Sequence, residues 1–177
     1  MEKRPETNDF APYYATYIKL VPSGEVRNIL QLQFIESLHL LKGISEDQGH
    51  YRYGTDKWSI KEVIGHLTDT EQIMTYRLLC IARGETGDLP GYDDKVYVQN
   101  GLFEMQSMND LIENWKVVRQ STLQLLNSLN EQAWNRRGNA NGFEVTVNAL
   151  AYIIAGHELH HRKILEERYL ESEDYPL

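Results

Sequence analysis

Four long stretches of this chain carry apolar residues at helical spacing, and none of comparable length alternates as a strand would. The pattern places a first helix from Ser23 to about Gly43, with Val26, Ile29, Leu30, Gln33, Ile35, Leu38 and Leu41 on a broad stripe. The second opens with Ser59-Ile60-Lys61-Glu62, a capping box in which the serine oxygen and the glutamate satisfy the free amides of the first turn. Ile60, Val63, Ile64, Leu67, Met74, Leu78 and Ile81 carry it to about Arg83. A third starts near Ser107, with Asp110 in its first turn and Leu111, Trp115, Val118, Thr122, Leu125, Leu126 and Leu129 on its stripe. The fourth runs from about Thr146 to Leu170. Such a set predicts an all-α four-helix bundle over residues 23–172, in a single-domain protein.

The remaining segments are shorter. Residues 1–22, with Pro5, Pro12 and Pro22 around Tyr13, Tyr14 and Tyr17, are expected to form an extended arm that packs its rings on the bundle. Residues 93–107 alternate briefly at Lys95-Val96-Tyr97-Val98, too briefly for a strand, and fit a loop or a helical turn. Residues 136–141, polar and containing Gly138, are expected to be a loop. The links after the second and third helices are longer than bundle loops usually are, and long links often border a functional site.

The formal net charge of −8 argues against nucleic acid or an anionic membrane as partner, since phosphate binding needs a dense cationic face. The N-terminus has no apolar signal segment, and no apolar run reaches the roughly 18 residues of a membrane span. With one cysteine, Cys80, read as a small hydrophobe of the core, the chain is expected in a reducing cytoplasm.

The informative stretch lies on the fourth helix, at Gly156-His157-Glu158-Leu159-His160-His161. At about 100° per residue, His157 and His161 each fall about 20° from the centre of the stripe that Leu150, Ile153, Ile154, Ile164 and Leu165 define; His160 falls about 80° away. Imidazoles at i and i+4 on one buried face can converge on one ion, and zinc or nickel accepts them readily. A pair of core histidines satisfied by carbonyls or carboxylates is the plainer reading, and two in one apolar stripe weigh against it. The stretch also spells H-E-x-x-H, the zincin motif, but no further histidine follows and no strand edge offers a peptide groove. For a third ligand, His66 and Glu71 on the second helix rank equally by spacing: His66 sits on the shoulder of its stripe and Glu71 near the centre. His39 and His50 read as ordinary histidines.

Two segments, Lys57-Trp58-Ser59-Ile60-Lys61-Glu62-Val63-Ile64-Gly65-His66-Leu67 and Ala151-Tyr152-Ile153-Ile154-Ala155-Gly156-His157-Glu158-Leu159-His160-His161, together with Leu89-Pro90-Gly91-Tyr92-Asp93 and Asn139-Ala140-Asn141-Gly142, make the chain resemble the DinB/YfiT-like proteins. That resemblance implies a divalent metal ion on His66, His157 and His161, in a site open at one end of an up-down-down-up bundle. It also implies homodimers and a small-molecule substrate. The implied activity is a metal-dependent hydrolase or a low-molecular-weight-thiol S-transferase of the bacillithiol type. Glu71 and Glu158 are then the candidate catalytic carboxylates, orienting water or a histidine. The competing expectation is a non-enzymatic protein, metal-stabilised or stress-related.

Overall fold

Helix caps written in the sequence set where three of the four long helices begin. The structure, a computed structural model, describes residues 3–176. Helix α3 (Ile60–Ala82) starts at the expected capping box: Ser59 Oγ accepts from the Glu62 amide at 3.2 Å, and the Ser59 amide donates to Glu62 Oε2 at 2.8 Å. Ser107 caps α5 (Met108–Ser128) and Thr146 caps α7 (Val147–Ile164) through the same kind of bond. Helix α2 (Val26–Lys42) starts without a side-chain cap and ends at Gly43. A π-helical turn, Leu165–Leu170, continues α7.

These four helices form the bundle. Helix α3 packs on α5 and α7, and α2 packs on the same two, so α2 and α3, successive in sequence, sit at diagonal corners. Helical spacing located the buried face of α3 well, since every apolar residue of its expected stripe is buried. On α2 the stripe was drawn too wide: Ile35 is 59% exposed.

Two expectations are corrected, and a third, left between two alternatives, is decided. The N-terminal arm is not extended throughout, because Pro12–Tyr14 forms a 3₁₀ turn that leads into α1 (Ala15–Leu20), packed on α7. Proline at the first position of a helix loses no bond, and Pro22 lies beyond the helix end, so the prolines bracket the segment instead of breaking it. Second, residues 137–140 are not a loop. Strand β2 (Arg137–Ala140) pairs antiparallel with β3 (Phe143–Thr146) and parallel with the two-residue β1 (Asp88–Leu89). Asn141 and Gly142 join β2 to β3 with φ of 56° and 75°, the left-handed pair a two-residue hairpin turn demands. Third, the ambiguous segment holds α4 (Asp94–Gly101), whose first amides bond to Asp93 Oδ1, followed by a 3₁₀ turn. A short helix α6 (Glu131–Trp134), capped by Asn130, lies between α5 and β2. No helix among the described residues is long and apolar enough to cross a membrane.

Candidate metal centre

The core is divided in two. One apolar cluster gathers Leu30, Met74, Leu78, Ile81, Leu126 and the first half of α7. The other gathers Leu41, Ile60, Ile64, Leu111, Trp115 and Leu165. Between them each long helix switches to polar residues at the same height: Gln33 and Ser37 on α2, His66, Thr70 and Glu71 on α3, Arg119 and Thr122 on α5, His157 and Glu158 on α7. Burying such groups is unfavourable unless each finds a partner. In this layer they sort into two sets.

The first set is an ion pair with its surroundings. Glu71 receives two hydrogen bonds from Arg119, Nε to Oε1 at 2.7 Å and Nη2 to Oε2 at 2.8 Å, with both side chains buried. Glu158 accepts from Ser37 and lies 3.8 Å from Arg162 Nε. Burial pushes the Glu158 carboxyl above its ordinary range, against the pull of the nearby Arg119 and Arg162.

The second set is the histidines. His66, His157 and His161 each offer a ring nitrogen, and the three nitrogens lie within 4.8 Å of one another. His66 Nε2 and His157 Nε2 are 3.0 Å apart, close to the roughly 3.3 Å that two imidazoles on one tetrahedral zinc would show. Burial lowers all three histidines: His66 to about 4, His157 and His161 well below their usual value, the last two further depressed by their neighbours. Neutral imidazoles converging without a carboxylate among them are the donor set a borderline divalent ion takes, so the residues fit such an ion. His66 Nδ1 faces Thr70 Oγ1 at 3.5 Å, and Thr70 in turn bonds Tyr92 Oη at 2.7 Å.

Glycines let the surroundings close in. A Cβ on Gly156, just before His157, would sit 2.2 Å from the Tyr17 carbonyl oxygen. One on Gly65, before His66, would sit 2.3 Å from the Phe103 ring. α1 therefore lies directly on α7, and Tyr17 meets His157 and His160 edge-on, with ring centroids 5.4 and 5.2 Å away.

A cavity of about 480 Å³ reaches the triad along the groove between α3 and α7, beside the middle of the bundle and not at its end. Tyr13, Tyr14 and Tyr17 line it together with Trp58, Thr70, Arg77 and Tyr92. Neither Glu71 nor Glu158 lines it, and His39 is exposed on α2 while His50 pairs with Glu104. Sequence reasoning named the three histidines and overlooked Arg77, although 11 residues after His66 is three turns of helix on the same face. A larger basin of about 710 Å³ near the N-terminus is lined by charges of both signs and no histidine, so the chemistry is assigned to the smaller cavity.

Residues 31–165 match the model of the DinB superfamily. The chain belongs to the DinB superfamily. All three histidines fall inside the matched DinB residues, and α1 lies before them. Among solved structures, YfiT from Bacillus subtilis, described as a probable metal-dependent hydrolase with an unusual four-helix bundle topology, aligns with a TM-score of 0.62. It is 19% identical, with 94% of this chain and 93% of that chain covered. At that identity the likeness establishes the shared DinB fold. No curated protein sequence matches the chain.

Proposed function

We propose that this DinB-superfamily chain is a metal-dependent enzyme that acts on a small molecule and holds one divalent ion, zinc or nickel, with His66, His157 and His161. The observation that carries the reading is the convergence of three neutral imidazoles, His66 and His157 buried and His161 half-buried, at the floor of a cavity of small-molecule size. Three protein ligands, not four, mark a site that leaves a position for chemistry. When bound, the ion supplies Lewis acidity toward an oxygen or sulfur atom of the reactants. The chain's own residues do the rest. A proton on His66 Nδ1 directed at Thr70 Oγ1 lets the threonine hydroxyl donate to Tyr92, which leaves the Tyr92 proton free for the cavity. Burial raises the Tyr14, Tyr17 and Tyr92 hydroxyls, so all three remain donors at neutral pH. Glu71 and Glu158 act from behind the triad in this reading, Glu71 by fixing α3 against α5 through Arg119, and Glu158 by tying α7 to α2 through Ser37.

Hydrolysis is the reaction class favoured, in line with the description of YfiT. Transfer from a low-molecular-weight thiol is the second class, since the cavity has room for a tripeptide-sized portion of such a thiol beside the triad. A homodimer in the cytoplasm, without nucleic acid or membrane partners, completes the proposal. Light scattering that finds a monomer at all working concentrations would remove the dimer.

The decisive measurement is metal content of tag-free protein by elemental mass spectrometry, beside a folded His157→Ala/His161→Ala variant. About one divalent ion per chain in the first and none in the second is expected. Wild-type protein that stays empty after reconstitution with zinc and nickel overturns the proposal. A purely structural ion would show itself by an apo-protein that unfolds when the chelator is added.

A further inference from the structure

Arg77 is 3% exposed and lines the histidine cavity, yet among the described residues no carboxylate lies within salt-bridge distance of it. Its guanidinium carries five N–H donors. One Nη2 proton goes to the Pro90 carbonyl at 2.6 Å, Nη1 reaches only the Met74 sulfur at 3.6 Å, and Nε is buried with no acceptor. Arg119, one layer away, shows how this fold treats a buried guanidinium that is purely structural: it gives it a bidentate carboxylate. A buried cation left without a counter-charge is costly, and a cavity beside it is where a counter-charge can come from.

The surroundings point the same way. The Arg77 guanidinium stands 6.0 Å from the centre of the Tyr92 ring, whose hydroxyl is bonded to Thr70 beside His66. Tyr14 lines the same cavity. The lining residues include one carboxylate, Asp94, which is exposed at the cavity mouth and does not pair with Arg77. Along α3, Arg77 follows His66 by about 16 Å of helix axis, and both side chains lean back toward the helix start. The guanidinium and the triad therefore line one cavity at different heights along α3.

We propose that Arg77 is an anion-binding residue, and that the substrate of this site is an organic anion whose carboxylate docks on Arg77 while its reacting group faces His66, His157 and His161. The inference rests on the metal-site reading for the second half of that statement only; the anion subsite stands or falls on Arg77. It binds the carboxylate through guanidinium N–H groups that the Pro90 carbonyl leaves free, a planar fork that an ammonium does not offer.

The test uses the full-length chain, zinc-loaded and chelator-treated in parallel, with monomethyl glutarate and dimethyl glutarate as probes in calorimetric or NMR titrations. The two differ by one negative charge. Wild-type protein is expected to bind the monoanion about tenfold or more tighter than the diester in both preparations. Arg77→Gln is expected to lose that preference while retaining its metal, and Arg77→Lys to keep part of it. Equal binding of the two probes by wild type overturns the proposal without recourse to any variant. So does an Arg77→Gln protein, folded by circular dichroism, that still prefers the monoanion. An empty metal site in wild type overturns the metal reading instead, and the chelator-treated titration still decides the anion subsite.

Discussion

Replacing Glu71 by glutamine removes one charge from the pair it forms with Arg119 and leaves the guanidinium in place. Arg119 is fully buried, and Glu71 is its only direct carboxylate among the described residues, with Glu158 acting on it at longer range. Breaking a buried pair from one side costs about 3–5 kcal/mol. For a chain of this length, each kcal/mol lowers the melting temperature by about 2–4 °C, so a fall of roughly 6–20 °C is expected. The converse change, Arg119→Met, should cost less. A carboxylate stranded in the interior can take up a proton, whereas a guanidinium cannot shed one. Glu158 is already pushed toward its neutral form by burial, so losing the nearby cation harms it little. The double change Glu71→Met/Arg119→Met should return to within a few kcal/mol of wild type, because the two charges leave together. Thermal unfolding by circular dichroism at neutral pH reads all three, with metal saturating or absent throughout so that ligand linkage does not differ. A Glu71→Gln protein melting within about 2 °C of wild type would refute the reasoning, since the pair would then be solvated and not a buried tie. Metal content should be unchanged in Glu71→Gln, as Glu71 does not line the cavity.

Gly156→Ala places a methyl group 2.2 Å from the Tyr17 carbonyl, a backbone atom that cannot rotate away. The strain of about 1–3 kcal/mol should outweigh the gain of up to ~1 kcal/mol in helix propensity, lowering the melting temperature and speeding proteolysis of the N-terminal residues; an unchanged protease pattern would contradict the close contact. The metal-free protein should also lose stability in mild acid. His66 is lowered to about 4 from an ordinary 6.5, so the unfolded chain binds the proton first, and stability present above pH 6.5 drains away as pH falls toward 4. His66 alone accounts for about 3 kcal/mol of this, and His157 and His161 act in the same direction. Glu158, raised by burial, works the opposite way and favours the fold toward acid. A chelator-treated protein whose melting temperature is flat between these limits would show that the histidines are not desolvated.

Much of this structure was legible in the residues because helices announce themselves over many turns. The capping box at Ser59 and the serine and threonine caps at Ser107 and Thr146 fall where the sequence puts them. The small sheet was not legible from alternation, since strands of two and four residues are too short to show any. Its one strong signal was local: Asn141-Gly142 is the favoured dipeptide for a two-residue hairpin, and it straddles the end of a segment read as a loop for its polarity. α1 was hidden by reading Pro12 as a breaker where it is a starter.

The choice between His66 and Glu71 shows a limit of a different kind. A single stripe centre describes a helix with one buried face, but α3 is enclosed by α5 on one side and α7 on another. Glu71 at the centre meets Arg119 of α5, while His66 on the shoulder meets His157 of α7. Angular position told that both were inside and could not tell which neighbour each would face. Arg77 went unnoticed for a related reason, because an arginine on a helix looks like a solvent residue until its surroundings are known.

Three of the four tyrosines that wall the cavity stand on a different piece of chain from the histidines that floor it. Tyr13, Tyr14 and Tyr17 come from the segment before residue 31, and the triad comes from helices within 31–165. Part of the fit is thus written in a segment that packs on the triad's own helix, with Gly156 at the closest approach. Exchanging the first two dozen residues for those of another bundle would rebuild part of the cavity lining while the three histidines stayed in the chain. That makes the N-terminal segment the natural unit to graft when the aim is to retune selectivity without rebuilding the centre.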